Sequence, residues 1–391
     1  QKGMITMKKD NNLWNTDVEL PEIVLEKAND AFAKIQREET STMTDINSYK
    51  KTNRSRTLRK FTAVAACAGL LVVGSVASAA AIHHIWGRGM QGTLQSTDEQ
   101  QQKLTDQGIA QVIPEQTDYS DLAVTSNGVT VAPDTVITDD KFLYISFSVS
   151  GYSTDGTQPD FESASITAID ATSGTPMELN STSSFYDGIV SDETGSPVYD
   201  DGSALEFDAD GELISHYTDE NGNLEYVITA FVQNQNDSIL GKTVQVDFTN
   251  LGTVKKAEYT NALDGTWNFT IPLSSVSSDK TITVDKAVDG TPFTLKEINI
   301  SPVSMKLNYH TDEKVEISED TVGVPELMGV VLKDGTRYPY LAESGMNGYT
   351  DDTLTDAYTL RSFNRVIDVD DVAALLIMPV GSSEMVEIAL P

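Results

Sequence analysis

Cysteine is almost absent: the 391 residues hold one, Cys67, so no disulfide can form within the chain and any folded part must stand on its buried core alone. Histidine is nearly as scarce, with four residues, and the first 60 positions contain neither His nor Cys, so the usual His and Cys ligands of a zinc site are lacking there. Basic residues are also few. Against 59 Asp and Glu stand 27 Lys and Arg, a net charge of -32, so phosphate is repelled and nucleic acid is not an expected partner.

Nucleophile and phosphate-loop motifs are missing too: there is no G-x-S-x-G and no glycine-rich phosphate loop, and His216 and His310 fall in no triad or zinc pattern. Asp351-Asp352 and Asp370-Asp371 are adjacent pairs, which on a strand face opposite ways and so do not form a glycosidase pair. The acid-rich segments Asp208–Glu212 and Asp219–Asn223 suit calcium by composition, but neither fits a twelve-residue EF-hand loop, and solvated hairpin turns are the expectation. The sequence therefore predicts no enzyme, no catalytic or metal-binding residues and no cofactor.

What the chain does have is one apolar run. Phe61 to Ile82 is 22 residues without a charge, about 33 Å as a helix and enough to cross a bilayer core. Ile46 to Lys60 before it carries six Lys or Arg and no acid, ending in Arg59-Lys60, while the acidic excess lies beyond residue 90. The positive-inside rule puts the N-terminus in the cytoplasm, with Arg59 and Lys60 anchoring one end of the span and Trp86 expected at the headgroups of the other. Ala77-Ser78-Ala79 resembles a signal-peptidase site and Val64–Cys67 a lipobox. A leader of about 60 residues argues against the first, and the nearness of Cys67 to Lys60 against the second.

Within the N-terminal segment, PEIVLEKANDAFAKIQ from Pro21 places Val24, Leu25, Ala28, Phe32 and Ile35 at helical spacing behind an N-terminal proline and acids in the first turn. Sixty residues cannot bury much core, so this amphipathic helix either binds a cytoplasmic partner through those five positions or skims the inner leaflet.

Beyond the span, Gly87 to Gln116 is polar with a short helical pattern near Leu94–Leu104, and reads as a stalk. After it, alternating β-branched runs such as KFLYISFSVSGY, LEYVITAFV and KTVQVDFTNL are parted by Asn127-Gly128, Asp210-Gly211, Asn221-Gly222 and Asp264-Gly265 turns. A second set of runs begins near Lys280, after the serine-rich PLSSVSSD. The expected fold is mainly β: a single transmembrane helix followed by one or two Ig-like β-sandwich domains, with a short α-helical cytoplasmic segment. The expected divisions are a cytoplasmic segment at 1–60, the span at 61–85, a juxtamembrane stalk at 86–119, a β-sandwich at 120–275 and a second at 276–391.

Basic segment, span, Trp86-Gly87-Arg88-Gly89 and then NGVTVAPDTVITDDKFLYISFSVSG together resemble the Gram-positive family called domain of unknown function 4179, over about residues 20 to 255. The closing FNRVIDVDDVAALLIMPV is similar to the end of the Ig-like domain often found with it. The resemblance implies a membrane-bound anti-sigma factor paired with an extracytoplasmic-function sigma factor, sensing an extracellular ligand or protease. The chain departs from zinc-binding anti-sigma domains in lacking their His and Cys ligands. The alternative is a surface-displayed binding or adhesive protein in which the N-terminal segment is only an anchor.

Overall fold

The computed structural model describes residues 85–113, 122–170, 172–312, 314 and 323–391. The predicted cytoplasmic helix with Val24, Leu25, Ala28, Phe32 and Ile35, the basic flank with Arg59 and Lys60, and the apolar run to Ile82 lie outside the described residues. Among the described residues no helix is long and apolar enough to cross a membrane.

The described chain is mainly β, opening with two short helices, α1 (Arg88–Thr93) and α2 (Asp98–Asp106). Helix α2 starts where Thr97 and Gln100 form a reciprocal capping box, with Asp98 and Glu99 in the first turn complementing the helix dipole. A first β region follows: β1 (Ala110–Val112), β2 (Val124–Ser126), β3 (Val129–Thr138), β4 (Phe142–Ser150), β5 (Gln158–Ile169) and β6 (Pro176–Phe185). The small hairpin of β7 (Ile189–Ser191) and β8 (Pro197–Tyr199) comes next, then β9 (Leu224–Val232), β10 (Thr243–Lys255) and β11 (Glu258–Pro272).

Nine of these strands form one antiparallel sheet in the order β1-β3-β4-β9-β6-β5-β10-β11, with β2 also on β3. The sheet folds back on itself so that aromatic residues from its two halves meet. Phe147 on β4 lies 5.0 Å from Phe248 on β10 and 5.1 Å from Phe269 on β11, and Phe161 stacks on Phe248 at 4.5 Å. Such rings bury the largest apolar areas in a core, with each contact adding about 0.5–1.5 kcal/mol beyond area.

The Asn127-Gly128 turn is where the sequence puts it, both residues at positive φ between β2 and β3. Asp264-Gly265 is not a turn. Both residues lie within β11, opposite a register irregularity in β10, and a Cβ on Gly265 would sit 2.3 Å from the Trp267 ring. The β10–β11 reversal falls instead at Lys256-Ala257, where both residues hold left-handed backbone. The glycine at 265 serves ring packing, which turn statistics cannot distinguish from a hairpin.

Leu273 to Asp279 carries no strand and leads to the second β region. This comprises β12 (Lys280–Ala287), β13 (Thr294–Ile300), β14 (Ser304–His310), β15 (Glu326–Leu332), β16 (Arg337–Tyr338) and β17 (Ala342–Tyr349). The chain then closes with β18 (Asp356–Phe363), a 3-10 turn at Val369–Asp371, β19 (Val372–Met378) and β20 (Val386–Ala389). Sheets β12-β13-β14-β18-β17 and β16-β15-β19-β20 enclose a common, largely aliphatic core that includes Leu295, Ile298, Leu307, Val330, Leu375 and Ile377.

Of the segment expected as a stalk, residues 86–113 are part of the folded first region. Trp86, Met90, Leu94, Leu104 and Ile109 belong to the same buried cluster as Phe147 and Phe248. Strand β1 extends the sheet edge, Ala110 pairing with Ile137 and Val112 with Thr135. Trp86, expected among lipid headgroups, is 2% exposed. Trp86 and Leu94 flank α1 and Met90 lies within it, and burying the three together offsets the cost of ordering a polar segment.

Candidate functional site: the seat of the segment after the apolar run

Residues 85–96 form a strap lying in a seat built by β3, β9 and α2. Gln101 on α2 is buried, and its side-chain oxygen accepts from the backbone N–H groups of Ile85 at 2.8 Å and Trp86 at 3.1 Å. The next three N–H groups are held by two carboxylates. Asp134 Oδ2 accepts from Gly87 at 3.2 Å, and Glu225 accepts from Arg88 at 2.9 Å and from Gly89 at 2.5 Å. These are the orphan donors at the start of α1, so the carboxylates from β3 and β9 cap a helix of only six residues.

Glycine lets the neighbouring side chains come close here. A Cβ on Gly87 would lie 2.7 Å from Asp134 Oδ2, one on Gly89 would lie 2.9 Å from Glu225 Oε2, and one on Gly92 would enter the Tyr186 ring at 2.2 Å. The Trp-Gly-Arg-Gly sequence is thus suited to close approach of its backbone to two half-buried acids.

Arg88 reaches the other way, into a stretch from Asp187 to Glu225 with twelve Asp or Glu and no Lys or Arg. Its Nε donates to Asp200 Oδ2 at 2.6 Å, its Nη1 to the carbonyl of His216 at 2.8 Å, and its guanidinium lies 5.0 Å over the Tyr186 ring. An open cleft of about 1010 Å3 runs beside the strap, lined in part by Trp86, Gly87, Arg88, His216, Asp219 and Glu225.

Burial dominates the electrostatics of the seat. It pushes the Glu225 carboxyl up from 4.5 to about 7, the Gly89 and Arg88 N–H groups opposing it and Asp134 adding to it. Asp134 is raised for the same first reason, against donors from Thr135, Gly87 and Ser146.

A second buried acid lies where the two β regions meet. Asp139, fully buried at the β3–β4 turn, accepts through Oδ1 from the N–H groups of Lys141 at 2.9 Å and Phe142 at 2.7 Å. Through Oδ2 it accepts from the hydroxyls of Ser301, at 2.6 Å, and Ser304. Beside it the buried Tyr144 hydroxyl donates to the carbonyl of Val303 at 3.1 Å. Burial raises the Asp139 carboxyl and holds Asp279 nearby at about 7.

Residues 53–151 match the model of the family described as a domain of unknown function, DUF4179. The matched span runs from the basic flank through β4, so it takes in the strap, Asp134 and Asp139, and leaves Glu225 and the second β region outside. No curated protein matches the chain. Among solved structures, one described as the conserved domain protein from Bacillus anthracis aligns at 15% identity and a TM-score of 0.40, over 65% of this chain and 74% of that one.

Of the residues expected from sequence to bind a partner or anchor the membrane, only Trp86 falls within the described structure, and it packs the matched segment onto the β core. Asp134, Glu225, Gln101, Asp139, Ser301 and Ser304 were not anticipated. Charged residues inside apolar strands were the available signal for two of them: Asp134 in VAPDTVIT and Glu225 in LEYVITAFV. The acidic turns bond their own backbone, Asp208 accepting from Asp210 and Glu212 and Asp219 from Asn221 and Asn223. Among the described residues no group of three or more His, Cys, Asp or Glu is arranged to hold a metal. His216 stacks on Tyr199 at 4.2 Å, and His310 Nδ1 pairs with Asp356 at 2.7 Å on the surface.

Proposed function

We propose that the chain is a single-pass membrane signalling protein without enzymatic activity, an anti-sigma factor that binds a sigma factor inside the cell and senses an envelope signal outside. In this reading Phe61–Ile82 spans the membrane, the helix with Val24, Leu25, Ala28, Phe32 and Ile35 captures the sigma factor, and the β regions, of Ig-like kind, face outward. The observation that supports it best is the strap. Two residues, His83 and His84, separate the end of the apolar run from Ile85, whose N–H is already bonded to Gln101, a reach of at most about 7 Å. A span so closely joined to a folded core is suited to carry a change in that core inward, whereas a display anchor needs only a loose tether.

The test is cross-linking of the intact protein in its native cells, recovery through a C-terminal tag, and identification of what is bound on each side of the membrane. A sigma factor attached within residues 7–60, with the tag accessible to external protease, supports the reading. Partners confined to wall or host ligands, with an unoccupied N-terminal segment, would replace it with the adhesive one.

A further inference from the structure

We propose that the seam between the two β regions governs whether the strap stays in its seat, so that a change at the second β region is transmitted to the residues that adjoin the apolar run. The strap is bound by both regions at once. Its first half is held by Asp134, Glu225 and Gln101, as described. Its second half is paired with the chain leaving β18: the Gln95 N–H donates to the Asn364 carbonyl at 2.9 Å, and the Val366 N–H donates to the Gln95 carbonyl at 2.8 Å, a parallel bridge between Gln95 and Arg365.

Neighbouring elements reinforce this bridge. Gln100 donates to the Val366 carbonyl at 3.1 Å, and Val366 is buried in the cluster that holds Leu94. Gln95 Nε2 and Arg365 Nη2 both donate to the carbonyl of Ser191, at 2.6 and 3.4 Å, so the β7–β8 hairpin closes over the bridge. The Ser301–Ser304 turn precedes β14, and β14 pairs with β18 through Ser304 and Ser362. Asp139 of the first region grips that turn, and the carbonyl of Phe363, at the end of β18, faces the Tyr144 hydroxyl at 3.5 Å.

Displacing the second region therefore draws residues 364–366 away from Gln95 and unsupports the strap, with no contact made to the strap itself. Two segments sharing backbone hydrogen bonds and one buried cluster open together, as cooperative units of local unfolding do. This deepens the anchored-signalling reading and rests on it for its purpose, but the coupling is a property of the protein alone and is measured without a sigma factor.

The experiment uses the full chain in lipid nanodiscs, with amide hydrogen exchange of residues 85–95 and trypsin cleavage after Arg88 as readouts. The Ser301→Ala/Ser304→Ala double variant removes both hydroxyls from Asp139 and touches nothing in the strap. It is expected to speed both readouts about tenfold while Ile298 and Leu307 in the second core keep their protection. Unchanged rates at 85–95, with faster exchange at Val303 and Ser304, overturn the coupling. A second variant works in the opposite sense: Gln95→Cys/Arg365→Cys, with Cys67→Ser, joins the bridged pair by a disulfide, whose geometry suits directly paired backbones. The oxidised form is expected to slow exchange at Gly87–Gly89 about tenfold relative to its reduced form, and equal rates in the two forms would also overturn it.

Discussion

The two β regions solve burial differently. The first folds a single sheet around interlocked rings, with Phe147, Phe161, Phe248, Phe269, Tyr226 and Trp267 in mutual contact. The second closes two sheets over Leu, Ile, Val and Met, with Phe293 and Tyr309 as one aromatic pair 6.0 Å apart. The difference extends to charge. The first region holds Asp139 fully buried and Asp134 and Glu225 half-buried beside its core, and the second brings Ser301 and Ser304 to meet Asp139. A buried carboxylate is costly unless it is bonded, so it marks where the fold spends stability on something other than stability. Here that is the strap and the seam that supports it.

The contrast can be broken most forcefully at Trp86. If the strap is an integral part of the first core, Trp86→Ala costs about 3–5 kcal/mol, as for other buried Trp truncations, and guanidinium unfolding monitored by Trp fluorescence measures it. A cost below about 1 kcal/mol would return Trp86 to the role of a peripheral tether.

Next in size is the acid dependence of the seat. Glu225 in the folded chain titrates at about 7 against an ordinary value of 4.5, so the folded state keeps a proton that the unfolded state has lost between those values. Its contribution is present in full below about pH 4.5 and is lost as pH rises through about 7, of order 2–3 kcal/mol in all. Asp134 and Asp139 are shifted in the same direction, so Glu225→Gln is expected to reduce the fall in stability between pH 5 and 8 without abolishing it. Urea unfolding across that range decides it; an unaltered slope would remove Glu225 as a source.

Much of the strand content was legible from period-2 runs, because a half-buried strand must alternate and few other structures do. KFLYISFSVSGY became β4 close to its sequence limits, and KTVQVDFTNL became the first part of β10, which runs on to Lys255. The seat was hidden for three separate reasons. Trp86 beside an apolar run has the composition of a headgroup anchor, and only packing tells the two apart. Gly87, Gly89 and Gly92 look like loop residues, while their role is to let Glu225 and Tyr186 approach. Ser301 and Ser304 belong to a residue type usually found at the surface, so their burial against Asp139 depends on a partner about 160 positions away.

The second region offers the converse measurement. Ile298 lies in its aliphatic core with no polar group to satisfy, so Ile298→Val should cost about 1 kcal/mol and leave exchange at Gly87–Gly89 as it was. A loss of strap protection there would mean that any weakening of the second region is felt, and the seam would lose its special place.

The smallest effect is expected where α2, part of the seat, meets the second region at the surface. Lys103 on α2 pairs with Asp368 at 2.7 Å, yet both side chains are largely solvent-exposed, at 52% and 41%. The pair holds the Asp368 carboxyl below its usual range, chiefly through that hydrogen bond, but exposed ion pairs contribute about 0–1 kcal/mol and are screened by salt. Lys103→Ala should therefore cost less than about 0.5 kcal/mol in thermal or urea unfolding at 0.15 M salt, and still less at 1 M. A larger loss that vanishes with salt would show that charge, and not the Gln95 bridge and the buried Val366, binds the strap and its seat to the second region. The coupling through the seam would then be an ionic-strength effect and not a property of the packed fold.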